Sequence, residues 1–136
     1  MTELSQRIIE DWKERQRVAE ACLSIYSFLE KADFDKVQEL SFFEIQKIAS
    51  SESEIGDEDI ALAVQYLTGA GIGILGIRCY FYDGEQEYLL PDEEYLEAIE
   101  KGRIAHPVTG TEIKNINSYL FPWFTPGRIF NHKTNN

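Results

Sequence analysis

The side chains able to do chemistry in this sequence are few and scattered. His106, His132, Cys22 and Cys79 are its only histidines and cysteines. They are too dispersed for structural zinc, which takes four ligands at short paired spacings. Cys79 lies in an apolar, strand-like stretch and Cys22 on the apolar stripe of a helical one, so both read as inert buried thiols. His106 precedes Pro107 in a turn and could act as an acid or base, but no neighbour marks a partner. No Gly-x-Ser-x-Gly elbow is present. Gly69-Ala70-Gly71-Ile72-Gly73 resembles a phosphate cradle only in composition. Such a loop joins a strand to a helix start so that helical amides face the anion. These glycines follow a helical stretch, lead into a strand, and have no Lys-Ser/Thr after them, which reads as a helix stop. The Glu52–Asp59 acids are not a calcium loop: with Gly56 as its sixth residue, the twelfth would be Leu62. A weak divalent-cation site on those acids stays open. No catalytic residue, metal or cofactor is therefore expected, and the chain reads as non-enzymatic.

Charge is the stronger signal. The chain carries 13 Lys and Arg against 24 Asp and Glu, a formal −11. Thirteen of the acids and only one base, Arg78, fall between Ile48 and Glu100. After Glu100 there are five bases and one acid. An acidic middle repels the phosphate backbone, because non-specific nucleic-acid affinity rests on Lys and Arg. The acids serve either as a solubilising face or as a surface for a basic partner.

Two apolar features could make contacts. Tyr119-Leu120-Phe121-Pro122-Trp123-Phe124 packs four aromatics into six residues. It either closes the core or anchors a partner, since aromatic side chains dominate interface hot spots. Near the N-terminus, Ile8, Ile9 and Trp12 offer a second sticky surface, for a homodimer or another chain.

These residues must be positioned by an ordinary globular fold. Hydrophobic residues are 43% and charged residues 27%, and 136 residues suffice for one domain with one core. No apolar run reaches the ~18 residues needed to span a bilayer. The N-terminus is charged throughout, so no secretory leader and a cytoplasmic location are expected. Apolar spacing predicts one long N-terminal helix over 4–30. Ser41-Phe42-Phe43-Glu44 is a capping box opening a short helix, 42–49. Asp57 is the expected N-cap of the next, 58–68, with Ile60, Leu62 or Ala63, Val64 and Leu67 inward and Gly69 ending it. Ile74–Tyr82 and Glu85–Leu90 read as a hairpin turning at Asp83-Gly84 in a type I′ turn. Gly76 implies a bulge or close packing against the first helix. Asp92 should cap a helix over 93–101, stopped by Gly102, with Tyr95, Leu96 and Ile99 inward. Two short extended pieces follow, around a turn at 106–111. The last six residues are expected to fray. The fold class is α+β, mainly helical: residues 1–30 an N-terminal helix, 31–91 the core, 92–136 a C-terminal helix and an irregular aromatic extension.

The order helix, helix, turn, helix, hairpin over residues 18–90 resembles the winged helix-turn-helix superfamily. The resemblance implies a third helix that enters the DNA major groove and a basic wing. This sequence departs there: the third-helix region 52–68 has five acids and no base, and the wing tip 82–87 has three acids and no base. The scaffold is therefore expected to serve protein contact, with nucleic acid not expected. Glu52, Glu54, Asp57, Glu58, Asp59, Glu85 and Glu87 would meet a basic partner, and Ile8, Trp12, Tyr119, Phe121, Trp123 and Phe124 would serve assembly. The alternative is a winged-helix transcriptional regulator whose phosphate contacts come from Arg7, Lys13, Arg15 and Arg17 or from the basic tail.

Overall fold

A computed structural model gives the fold and describes residues 2–33, 39–69 and 71–130, except for the side chain of Leu96. The expectation of frayed ends at 131–136, an inward Leu96 and most of the polar stretch after Lys31 lie outside these residues. The fold is mixed α+β and mainly helical, as expected. Its helices are α1 (Glu3–Asp11), α2 (Gln16–Lys31), α3 (Phe42–Ala49), α4 (Asp57–Leu67) and α5 (Asp92–Lys101). Strands β1 (Leu75–Tyr82), β2 (Glu87–Leu90) and β5 (Leu120–Pro126) form one antiparallel sheet, in the order β2-β1-β5. Strands β3 (Ile104–Ala105) and β4 (Glu112–Ile113) form a small hairpin. The chain divides into two compact units, Met1–Gly76 with Thr125–Asn136, and Ile77–Phe124. The division falls within β1 and β5.

In the first unit, the single helix expected over 4–30 is two helices. The apolar stripe Leu4-Ile8-Trp12 has no apolar successor at 15 or 16, where Arg15 and Gln16 stand. With no apolar anchor to bury there, the chain leaves the helix at Trp12 and re-enters it at Gln16. The break sends Arg15 to Asp59 at 2.9 Å and to Glu58 at 3.3 Å. It also sets the Trp12 ring edge-on to Tyr66, centroids 5.4 Å apart. The α3 capping box closes in both directions, with Glu44 N–H donating to Ser41 Oγ and Ser41 N–H donating to Glu44 Oε1. Gly56, not Asp57, is the N-cap of α4; Asp57, Glu58 and Asp59 fill its first turn, where the positive end of the helix dipole favours them. Ile60, Ala63, Val64 and Leu67 are buried as expected. They meet a core that includes Cys22, Ile25 and Leu29 of α2 and Ile45 of α3. Gly69 follows the α4 C-cap, and left-handed backbone occurs at Gly73 (φ 65°), which leads into β1. Gly76 is small for a different reason from the one expected: a Cβ there would meet Thr125 Oγ1 of the adjoining strand at 2.7 Å, not the first helix.

In the second unit, register pairs Cys79 with Leu90, Phe81 with Tyr88 and Tyr82 with Glu87. The connection is thus four residues, 83–86, and not a two-residue type I′ turn. Asp83 keeps a negative φ because its carboxylate accepts from the N–H groups of Glu85 and Gln86, both at 2.8 Å. Only Gly84 of the expected pair takes a positive φ (95°), and the Asp83 side chain holds the rest of the turn. Cys79, Phe81, Leu90, Ala98 and Leu120 form the core, with Tyr88, Tyr95, Ile104, Ile113 and Tyr119 packed around it. Pro91, not Asp92, is the N-cap of α5, and Gly102 (φ 71°) ends that helix. The inward ridge of α5 runs through Tyr95 and Ala98, so Ile99 falls beside it and is exposed. The aromatic C-terminal segment, read from sequence as irregular, is largely strand: its two prolines sit on an edge strand, where a missing N–H costs no ladder bond.

Candidate functional site

The acids singled out by sequence lie in both units. In the first, Glu52, Glu54, Asp57 and Glu58 are exposed and Asp59 is half-buried. Asp57 accepts from Gln46 Nε2 at 3.2 Å, and Glu58 and Asp59 hold Arg15. Every cation offered for phosphate contact near the N-terminus is already beside a carboxylate: Arg7 by Asp11, Lys13 by Glu10, Arg15 by Asp59 and Arg17 by Glu20. Arg7 also donates to the carbonyl of Gly71, and Arg17 to Ser53 Oγ.

Two residues expected to make external contacts are core residues. Ile8 is wholly buried, because the turn at Trp12 folds α1 against α2, and Phe124 is buried because β5 alternates it inward. Trp12 is half-buried against Tyr66, and its indole Nε1 is enclosed with no hydrogen-bond partner among the described residues. The Tyr66 hydroxyl donates to Asp11 Oδ2 at 2.5 Å; burial and that carboxylate push its pKa up. Tyr119 stacks on Phe81 with centroids 5.5 Å apart.

Histidine 106 has a partner after all, one 23 residues away in sequence. Its Nε2 lies 2.9 Å from Asp83 Oδ2, and the N–H groups of Val108 and Thr109 donate to its Nδ1 at 3.0 and 3.2 Å. Two amides aimed at Nδ1 assign the ring hydrogen to Nε2, which donates to Asp83. Both nitrogens are thereby committed to holding the 106–111 turn against the β1–β2 loop. The amides of Gln86 and Glu85, together with His106, hold the Asp83 carboxyl down at about 2. The ring is further enclosed by Phe81 (5.1 Å) and Tyr88 (5.6 Å), both edge-on. Burial pushes the Cys22 thiol up to about 12 and the Cys79 thiol up to about 11, so neither is a ready nucleophile. Among the described residues no group of three or more His, Cys, Asp or Glu is placed to hold a metal ion, and no helix is long and apolar enough to cross a membrane.

The second unit has one naked face. Cys79, Phe81, Leu90 and Leu120 point to its core, so alternation sends Tyr80 and Tyr82 of β1, Glu87 and Leu89 of β2, and Phe121 and Trp123 of β5 to the other side. Tyr82 and Phe121 are each 43% exposed and meet edge-on at 6.4 Å; Leu89 is 59% exposed. Phe121, Trp123 and Glu87 were singled out from the sequence. Tyr80, Tyr82 and Leu89 were not, although the run Tyr80-Phe81-Tyr82, aromatic on both sides of β1, was the available sign. No known family model, curated protein or solved structure matches the chain.

Proposed function

We propose that the chain is a non-enzymatic protein–protein interaction module, of adaptor, inhibitor or immunity type, that presents acidic surfaces to a basic partner in the cytoplasm. The element order α2, α3, α4, β1, β2 supports a winged-helix-like scaffold. One observation carries the functional reading: the element in the place of a recognition helix, α4, opens with Asp57, Glu58 and Asp59, while the cations closest in sequence to the rival reading, Arg7, Lys13, Arg15 and Arg17, are each beside a carboxylate. Such surface pairs add little stability, but they cancel the field that a phosphate backbone would need. The commitment of both His106 nitrogens to the fold is consistent with a non-catalytic role.

Anisotropy titrations against a random DNA duplex and against a lysine-rich peptide separate the readings. The peptide should bind with an affinity that falls as salt rises, and reversing Glu52, Glu54 and Glu58 to lysine should weaken it. The duplex should show no binding at low salt. Micromolar duplex binding with a steep salt slope would overturn the proposal in favour of a DNA-binding regulator.

A further inference from the structure

The open face of the three-stranded sheet combines two features that separately say little. It is aromatic, with Tyr82 and Phe121 ring to ring and partly in solvent, and Tyr80 and Trp123 beside them. It is also edged with unneutralised negative charge. Glu87 lies directly across from Tyr82 on the same face, and Glu85 stands in the adjoining loop. Both are exposed, and neither is in an ion pair among the described residues. Two cations of this unit are engaged with other carboxylates, Lys101 with Glu97 and Arg103 with Glu112, and Lys114 lies beyond β4, outside the three strands. Arg78 sits towards the far end of the face, in a shallow hollow that Asp92 also lines.

A bare apolar face fits many occupants; an aromatic face with carboxylates at its edge selects cations. The ring faces carry negative electrostatic potential, which draws a guanidinium or ammonium group within about 6 Å of the centroid. The adjacent carboxylate neutralises the same charge. Single-stranded nucleic acid also stacks on aromatic sheets, but it does so in positively charged grooves. Here Glu85 and Glu87 would face its phosphates.

We infer that this face binds an extended, arginine- or lysine-bearing segment of a partner protein, with its cations seated over Tyr82 and Phe121 and neutralised by Glu87. The inference rests on the basic-partner reading above and adds to the acids of α4 a separate surface with its own chemistry.

The test is an amide chemical-shift titration of the full chain. The probes are a short peptide of alternating arginine and serine, the same peptide with citrulline for arginine, and oligothymidine. The arginine peptide should shift amides of β1 and β5 around Tyr80–Tyr82 and Phe121–Trp123, and the uncharged citrulline peptide should not. Tyr82→Leu with Phe121→Leu keeps the face apolar and removes the rings; it should weaken binding about tenfold. Glu87→Gln should weaken it about threefold, and it carries the test if the double variant loses its dispersed spectrum. Shifts confined to the acids of α4 or α5, unaffected by these variants, would overturn this inference and leave the broader reading standing. No shift with any basic peptide at millimolar concentration would overturn both. Stronger shifts of the same face by oligothymidine would overturn the inference in favour of nucleic acid.

Discussion

Each compact unit encloses one cysteine, and this gives the fold two internal reporters. Cys22 is buried in the first unit and Cys79 in the second. With burial pushing the thiols up to about 12 and about 11, neither reacts at mildly alkaline pH until its surroundings open. Phe81→Ala should open the second unit selectively. The Phe81 ring is fully buried, stacked on Tyr119 at 5.5 Å and met by His106 at 5.1 Å and Tyr88 at 6.1 Å. Truncating a buried Phe costs about 3–5 kcal/mol in lost transfer energy and residual cavity. Tyr88 and Tyr119 are only partly buried and can lean into the gap, which favours the lower end, about 3 kcal/mol. That raises the opening constant around Cys79 by a factor of about 10². Pulse labelling with iodoacetamide, read by peptide mass spectrometry, measures both thiols in one sample. The Cys79 rate should rise about a hundredfold and the Cys22 rate far less. A rise below about fivefold at Cys79 would refute the central place given to Phe81. An equal rise at Cys22 would refute the expectation that the second unit opens without the first.

The Asp83 carboxyl is depressed from its ordinary 3.8 to about 2. A lowered folded-state value stabilises above the unfolded one, so its contribution is complete above about pH 4 and disappears as pH falls towards 2. Urea midpoints measured across that window should fall for the native chain and fall less for Asp83→Asn. Gly127→Ala puts a Cβ into the backbone carbonyl of Gly73, which cannot swing aside as a side chain could. It should cost about 2 kcal/mol or more in equilibrium denaturation, whereas Gly56→Ala, with open space around it, should not clash. Ser41→Ala removes the oxygen that accepts from Glu44 N–H and should cost about 1 kcal/mol, seen as earlier amide exchange at the start of α3.

Features that depend on neighbours along the chain could be read from the amino-acid order. Some helix ends were legible because their signals are local, the Ser41 capping box and the left-handed stop at Gly102, while the caps of α4 and α5 each fell one residue before the acid expected there. The acidity of α4 and of the β1–β2 connection was equally legible, since charge is a property of composition. Tertiary structure decided what depends on residues brought together from afar. It broke the first helix at Trp12 so that Arg15 could reach Asp59, 44 residues on. It drew the proline-bearing aromatic tail into β5, which buried Phe124 and left Phe121 outside. It gave His106 its partner in Asp83, invisible at a separation of 23 residues. The open aromatic face has the same origin. A strand with aromatic residues at successive positions is two-sided in sequence, and only the packing of α5 and the β3–β4 hairpin on one side selects which rings remain in water.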